Sequence, residues 1–169
     1  MNILDTLNRP RTGFAVVLLV CAGLLGFAYY AQYVMYLDPC PMCILQRIAF
    51  MIMGVFALIG TLHGSRGAMR WVWTGGVAAG GLWGAVTAGR HIWIQNLPPD
   101  QVPDCGPGFD YNREMFGLGE ALRAAFAGSG DCAEISWSFL GLSMPWWTLI
   151  WYVALTLFLA AAVARVKKQ

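Results

Sequence analysis

From Pro39 to Leu62 the chain reads PCPMCILQRIAFMIMGVFALIGTL. Beyond its two cysteines this run holds one charge, Arg47, and it is long enough to cross a bilayer, which takes about 20 mostly apolar residues. Three further stretches repeat the pattern. Thr12 to Leu37, Trp71 to Gly89 and Ile135 to Ala164 carry no charge, and Pro145 is a natural first-turn residue in the last. The expectation is an all-α membrane protein, a four-transmembrane-helix bundle. Its spans fall at about 12–35, 42–62, 71–89 and 145–164, and the long loop 90–144 lies outside the bilayer.

Composition agrees. Of 169 residues, 58% are hydrophobic and only 12% charged, against about 25% charged in an ordinary soluble domain. The net charge of +2 argues for no nucleic-acid partner. Gly76, Gly80 and Gly84 recur every fourth residue, a small-residue face for close helix packing. The first apolar run exceeds the ~7–15 residues of a signal-peptide core, and Ala28-Tyr29-Tyr30-Ala31 is a poor cleavage site, so it is read as a retained span.

Basic residues set the orientation. Arg9 and Arg11 precede the first span, Arg66 and Arg70 join the second and third, and Arg165, Lys167 and Lys168 follow the fourth. That side is expected to be cytoplasmic, with both termini on it. The tyrosines from Tyr29 to Tyr36, with Trp93, Trp146 and Trp147, read as interfacial anchors on the outer side. Within the loop, Asn112 to Gly128 has helical periodicity with Met115, Leu118, Leu122, Ala125 and Phe126 on one face. It is expected to be a short amphipathic helix, lying on the membrane surface or packed on the protein.

Five cysteines carry the chemistry. Cys21 lies mid-span, about 20 Å or more from the outer end of its helix at 1.5 Å per residue, and disulfide Cα atoms lie within about 7 Å. It is read as an unpaired, small apolar residue. Cys40, Cys43, Cys105 and Cys132 map to the outer side, where an oxidising compartment lets disulfides persist. A Cys105–Cys132 bridge suits a structural role, stabilising its loop by roughly 3–4 kcal/mol. A Cys40–Cys43 bridge closes almost no loop, and Pro41 restricts Cys40 to an extended backbone. That pair reads as redox-active.

Cys43 is expected in the first turn of a helix, where free N–H groups and the dipole favour a thiolate. Arg47 stands one turn deeper on the same face. A lone arginine in a span calls for an offsetting group: loop acids, backbone carbonyls, a thiolate or a reduced cofactor oxyanion. Zinc is set aside and no metal is expected, because the second cysteine pair is split by a long loop. His91, beside Arg90 at the outer end of the third span, is either an interfacial residue or a cofactor contact. A dithiol oxidised repeatedly needs a two-electron acceptor. The chain has no haem, dinucleotide or iron–sulfur motif, so a lipid-soluble quinone is inferred by elimination and depth.

These residues resemble the DsbB family of bacterial thiol:quinone oxidoreductases. The likeness rests on Pro39-Cys40-Pro41-Met42-Cys43 with Arg47, on Arg90-His91, on Ser129-Gly130-Asp131-Cys132-Ala133-Glu134 and on Trp137 to Trp146. It implies an inner-membrane enzyme that reoxidises a DsbA-like periplasmic thioredoxin-fold protein and reduces ubiquinone or menaquinone. The partner would attack at Cys105, Cys132 would communicate with Cys40, and Cys43 would react with quinone held by Arg47 and His91. A vitamin K epoxide reductase-like enzyme, a paralogue dedicated to one partner, and a non-enzymatic membrane protein with structural disulfides are the alternatives.

Overall fold

The computed structural model describes residues 10–63, 67–106 and 108–165. Five α-helices account for most of them: α1 (Pro10–Tyr33), α2 (Pro41–Leu62), α3 (Met69–Gln95), α4 (Phe109–Ala127) and α5 (Met144–Ala164). A 3-10 turn, Gly130–Cys132, and a two-stranded hairpin, β1 (Ser138–Phe139) and β2 (Leu142–Ser143), separate the last two.

α1, α2, α3 and α5 form the bundle. α2 packs on α1 and α3, and α5 closes against α3 and α1. The core runs through Phe14, Val17, Cys21, Phe50, Met53, Val77, Tyr152 and Leu159. The glycine face of α3 does what its spacing suggests. Added Cβ atoms would run into Phe56 at Gly76, Met53 and Ile52 at Gly80, and the Tyr152 ring at Gly84. Backbone approach there replaces side-chain interdigitation.

α1, α2 and α5 are long and apolar enough to cross a membrane. α3, with 27 residues, is long enough, but its glycines and tryptophans dilute its hydropathy. It also extends past the expected 71–89, so Arg90 and His91 lie within the helix and not at its close. At one end of the bundle Arg11 of α1 donates to the Thr61 carbonyl near the end of α2 (2.9 Å), and Gly13 meets Ala162 of α5. Arg9, Arg66, Lys167 and Lys168 lie outside the described residues.

The start of the loop helix needs correction. The loop helix begins at Phe109, not Asn112, and breaks at Gly117, whose φ of 85° is open to glycine but strained for other residues. Its inward face is Asn112, Ala121 and Ala125, while Met115, Phe116 and Leu118 are exposed. Small alanines permit close docking, and the larger apolar groups are left outside. The hairpin was not foreseen. Its two-residue turn, Leu140-Gly141, has positive φ at both positions (53° and 79°), as tight hairpins require. Leucine in that conformation carries none of the usual Asn-Gly signal.

Candidate functional site

Cys40 and Cys43 flank the start of α2. Pro41 stands in the first helical turn and Cys40 is extended before it (φ −62°, ψ 159°), as a pre-proline residue should be. This geometry turns the Cys40 sulfur back over the helix, where it accepts from the Cys43 backbone N–H at 3.3 Å. The two sulfurs lie 2.9 Å apart.

The outer loop delivers Cys132 to the same place. Cys132 is fully buried and packs with Met42 and Ile94. Its thiol hydrogen-bonds to Cys40, and that bond together with burial pushes the Cys132 thiol well above its ordinary pKa. The Cys132 bond draws the Cys40 thiol down, but its contact with Cys43 and its burial outweigh this and leave it raised. Cys40 and Cys132, 92 positions apart in sequence, are thereby neighbours.

Two features hold this loop down. Arg90 donates from Nε to the Phe126 carbonyl (2.7 Å) and from Nη2 to the Ala127 carbonyl (2.8 Å), satisfying the free end of α4. Gly128 (φ 87°) then crosses Ile94 so closely that a Cβ would lie 2.5 Å from its Cδ1.

Cys105 is separate from this cluster and exposed. Its sulfur lies over Gly130, 2.8 Å from where a Cβ would stand. The Asp131 carboxylate beside it raises the thiol's pKa, with smaller contributions from Glu134 and Asp104.

His91 is buried and faces the cysteines. Nε2 lies 3.1 Å from the Cys132 carbonyl and 3.8 Å from the Cys40 sulfur. Nδ1 meets the Gln46 side-chain amide at 3.1 Å. Gln46 is held in turn by the Thr148 hydroxyl (2.7 Å), and its carbonyl accepts from the Tyr152 hydroxyl (2.7 Å). Sequence reading passed over Gln46, although an uncharged polar residue in an apolar span was the available signal.

Arg47 points the other way. It donates to the Gln32 side chain and to the Ala28 carbonyl (3.1 Å), and lies over the Tyr29 ring at 5.2 Å. Of the offsetting groups expected, a backbone carbonyl is present, and Gln32 is an addition. Arg47 and Cys43 both line a cavity of about 400 Å³ between α1, α2, α5 and the hairpin. Its walls are mostly apolar, with Phe27, Trp137, Phe139 and Trp147 forming an aromatic group at the hairpin. Trp147 donates to the Phe139 carbonyl at 3.2 Å, so it fastens the hairpin and is not only an interfacial anchor.

The structure thus brings Cys40, Cys43, Cys132 and His91 together. Arg47 shares a cavity with Cys43, and His91 does not line that cavity. The arrangement suits thiol–disulfide exchange among Cys40, Cys43 and Cys132, with a mostly apolar cavity on the other side of Cys43.

Comparison with known proteins gives a consistent result. The family described as "Disulfide bond formation protein DsbB" matches residues 10–162. A protein of Hahella chejuensis named "Disulfide bond formation protein B" is 45% identical over 157 residues, covering 92% of this chain and 94% of its own. Proteins of that name from Marinobacter nauticus (50% over 143 residues, 82% and 83% covered) and Chromobacterium violaceum (44% over 157 residues, 92% and 93% covered) are similar in kind.

Proposed function

The chain belongs to the DsbB family of disulfide bond formation proteins, and from that footing we propose that it is an inner-membrane thiol:quinone oxidoreductase. It reoxidises a DsbA-like periplasmic thioredoxin-fold protein and passes two electrons to ubiquinone or menaquinone. The observation that carries this reading is Cys43, which touches the Cys40 sulfur on one side and shares an apolar, arginine-bearing cavity on the other.

In the proposed relay a thiolate of the partner attacks Cys105 of a Cys105–Cys132 disulfide. The Cys132 sulfur leaves as a thiolate and attacks Cys40 of a Cys40–Cys43 disulfide, which frees Cys43. A second partner thiol releases the oxidised partner and leaves Cys105 as a thiolate, which attacks Cys132, re-forms the Cys105–Cys132 disulfide and frees Cys40; the two electrons then rest on the Cys40/Cys43 dithiol. The exposure of Cys105 and the contact of Cys132 with Cys40 support this order.

The cavity fits a quinone head group: apolar walls, six aromatic residues, the Arg47 cation and the Cys43 sulfur, with Asp38 at its edge. A bound quinone supplies the two-electron acceptor. Arg47 would hold its polar edge and would stabilise negative charge there, more effectively in an apolar site than in water. Cys43 presents its sulfur to the ring. His91, set against Cys40 and the Cys132 carbonyl, serves the exchange side.

In this reading α3 is the third of four spans, both termini lie on one side, and the basic residues at that end assign that side to the cytoplasm. α4 lies on the outer surface with Met115, Phe116 and Leu118 toward lipid. The test is quinone-dependent oxidation of a reduced thioredoxin-fold dithiol by the purified protein. Turnover that requires both quinone and Cys43 supports the reading; partner oxidation that proceeds equally without quinone overturns it.

A further inference from the structure

The objection to a metal was the long loop between cysteine pairs, and the fold gathers ligands without it. Cys40, Cys43 and His91 bring two sulfurs and one ring nitrogen within 4.8 Å of one another. Tetrahedral zinc with bonds of about 2.3 Å to sulfur and 2.0–2.1 Å to nitrogen sets its ligand atoms roughly 3.5–3.8 Å apart. Cys40 and His91 Nε2 already stand at 3.8 Å. The two sulfurs, at 2.9 Å, need to part by only about 1 Å.

Two further observations point to a cation. The three residues open onto a second cavity, of about 310 Å³, whose rim carries Asp38, Asp131 and Glu134. Among the described residues no lysine or arginine lines it, so its field gathers cations. His91 also has an outer support of the kind ligating histidines use, with Gln46 on Nδ1 and Thr148 behind it. Turned over, the Gln46 amide presents its oxygen to Nδ1–H, and Nε2 exchanges its contact with the Cys132 carbonyl (3.1 Å) for the cation.

We propose that the reduced chain holds a soft divalent cation, Zn2+ in kind, on Cys40, Cys43 and His91, with water from the cavity in the fourth position. Both thiols release their protons to solvent as they ligate. No electron moves. Oxidation of Cys40 removes the site, because a disulfide sulfur is not a thiolate ligand. The metal and the redox cycle therefore compete for the same sulfurs, and the cation arrests the chain in its reduced form. This goes beyond the thiol:quinone reading and does not depend on it.

Co2+ is the probe. The full-length protein is reduced, freed of reductant and metal without oxygen, and titrated with CoCl2. The expected result is one equivalent bound, with sulfur-to-cobalt charge-transfer absorption and the strong visible bands of a tetrahedral site, both bleached by Zn2+. The oxidised chain should show neither, a comparison that needs no variant. His91→Ala should weaken binding at least about tenfold, Cys43→Ser should remove most of the charge-transfer absorption, and Cys105→Ser, although it disables the relay, should leave cobalt binding as it is. Absence of saturable binding, weak bands of octahedral cobalt, equal binding by the oxidised chain, or curves for His91→Ala and Cys43→Ser that match the wild type would each overturn the proposal.

Discussion

Arg90, in the last turns of α3, donates through Nη2 to the carbonyl of Ala127 at 2.8 Å and so ties the end of α4 to the bundle. Five residues later the chain reaches Cys132. Removing this tie should loosen Cys132 from Cys40 without touching Cys105. We expect Arg90→Ala to slow exchange between Cys132 and Cys40 roughly fivefold, the equivalent of about 1 kcal/mol. Attack by the partner on Cys105 should keep its rate. Stopped-flow measurement of the two steps separates them, and equal slowing of both would count against the tether.

Cys132→Ala should leave Cys105 as the sole loop thiol and accumulate a mixed disulfide with the partner through Cys105, because the exposed sulfur has no resolving neighbour. Peptide mapping of the trapped complex decides it. Attachment at Cys40 or Cys43 would reverse the proposed order.

Arg47→Ala should weaken apparent quinone affinity by roughly 10- to 100-fold, the effect of losing a hydrogen bond of about 1.5–3 kcal/mol from a charged donor. Arg47→Lys should recover part of this, since it keeps the charge and loses the planar fork. Exchange with the partner should change little in either, as Arg47 faces the cavity and not the loop cysteines. Unchanged quinone kinetics in a folded Arg47→Ala protein would remove Arg47 from the site.

Asp131 is the main cause of the raised Cys105 pKa. A nearby carboxylate disfavours the thiolate, so Asp131→Asn should lower that pKa and increase the thiolate fraction at neutral pH. In a Cys132→Ala background, alkylation of Cys105 should become faster, with its pH profile moved toward acid. Added salt should shrink the difference between the two proteins, because the charges are exposed.

Gly84→Ala should destabilise the bundle by about 1–3 kcal/mol through overpacking. The new methyl meets Tyr152, whose ring stacks on Phe50 at 4.2 Å and whose hydroxyl holds the Gln46 carbonyl, so the ring cannot easily give way. Gly75→Ala, which meets nothing within 4 Å, is the control. Thermal unfolding in detergent compares them.

Much of this was legible because it is local. Pro41 between two cysteines specifies an extended residue, a helix start and a sulfur at its head, all within four positions. Charge-free runs specify membrane helices, and glycines four apart specify the face of α3 that meets its neighbours. What was hidden depends on tertiary placement. Nothing in the spacing of Cys40 and Cys132 says that they touch. The partners of Arg47, Gln32 and Ala28, come from another helix. The inward face of α4, Asn112, Ala121 and Ala125, was not marked in the sequence, because docking there uses small residues and a hydrophobicity pattern selects the larger ones, most of which stay exposed. Leu140 at positive φ hides a hairpin behind a residue that ordinarily argues against a turn.

The Cys40 sulfur that accepts from the Cys43 amide makes one backbone N–H sensitive to the electronic state of the redox pair. A thiolate is a stronger acceptor than a disulfide sulfur, and the helix dipole reinforces it at that position. The Cys43 amide proton should therefore shift downfield and exchange more slowly with solvent when Cys40 is ionised. A single 15N-labelled cysteine resonance would then follow each turnover from within the helix, with no dye, no alkylating agent and no added chromophore.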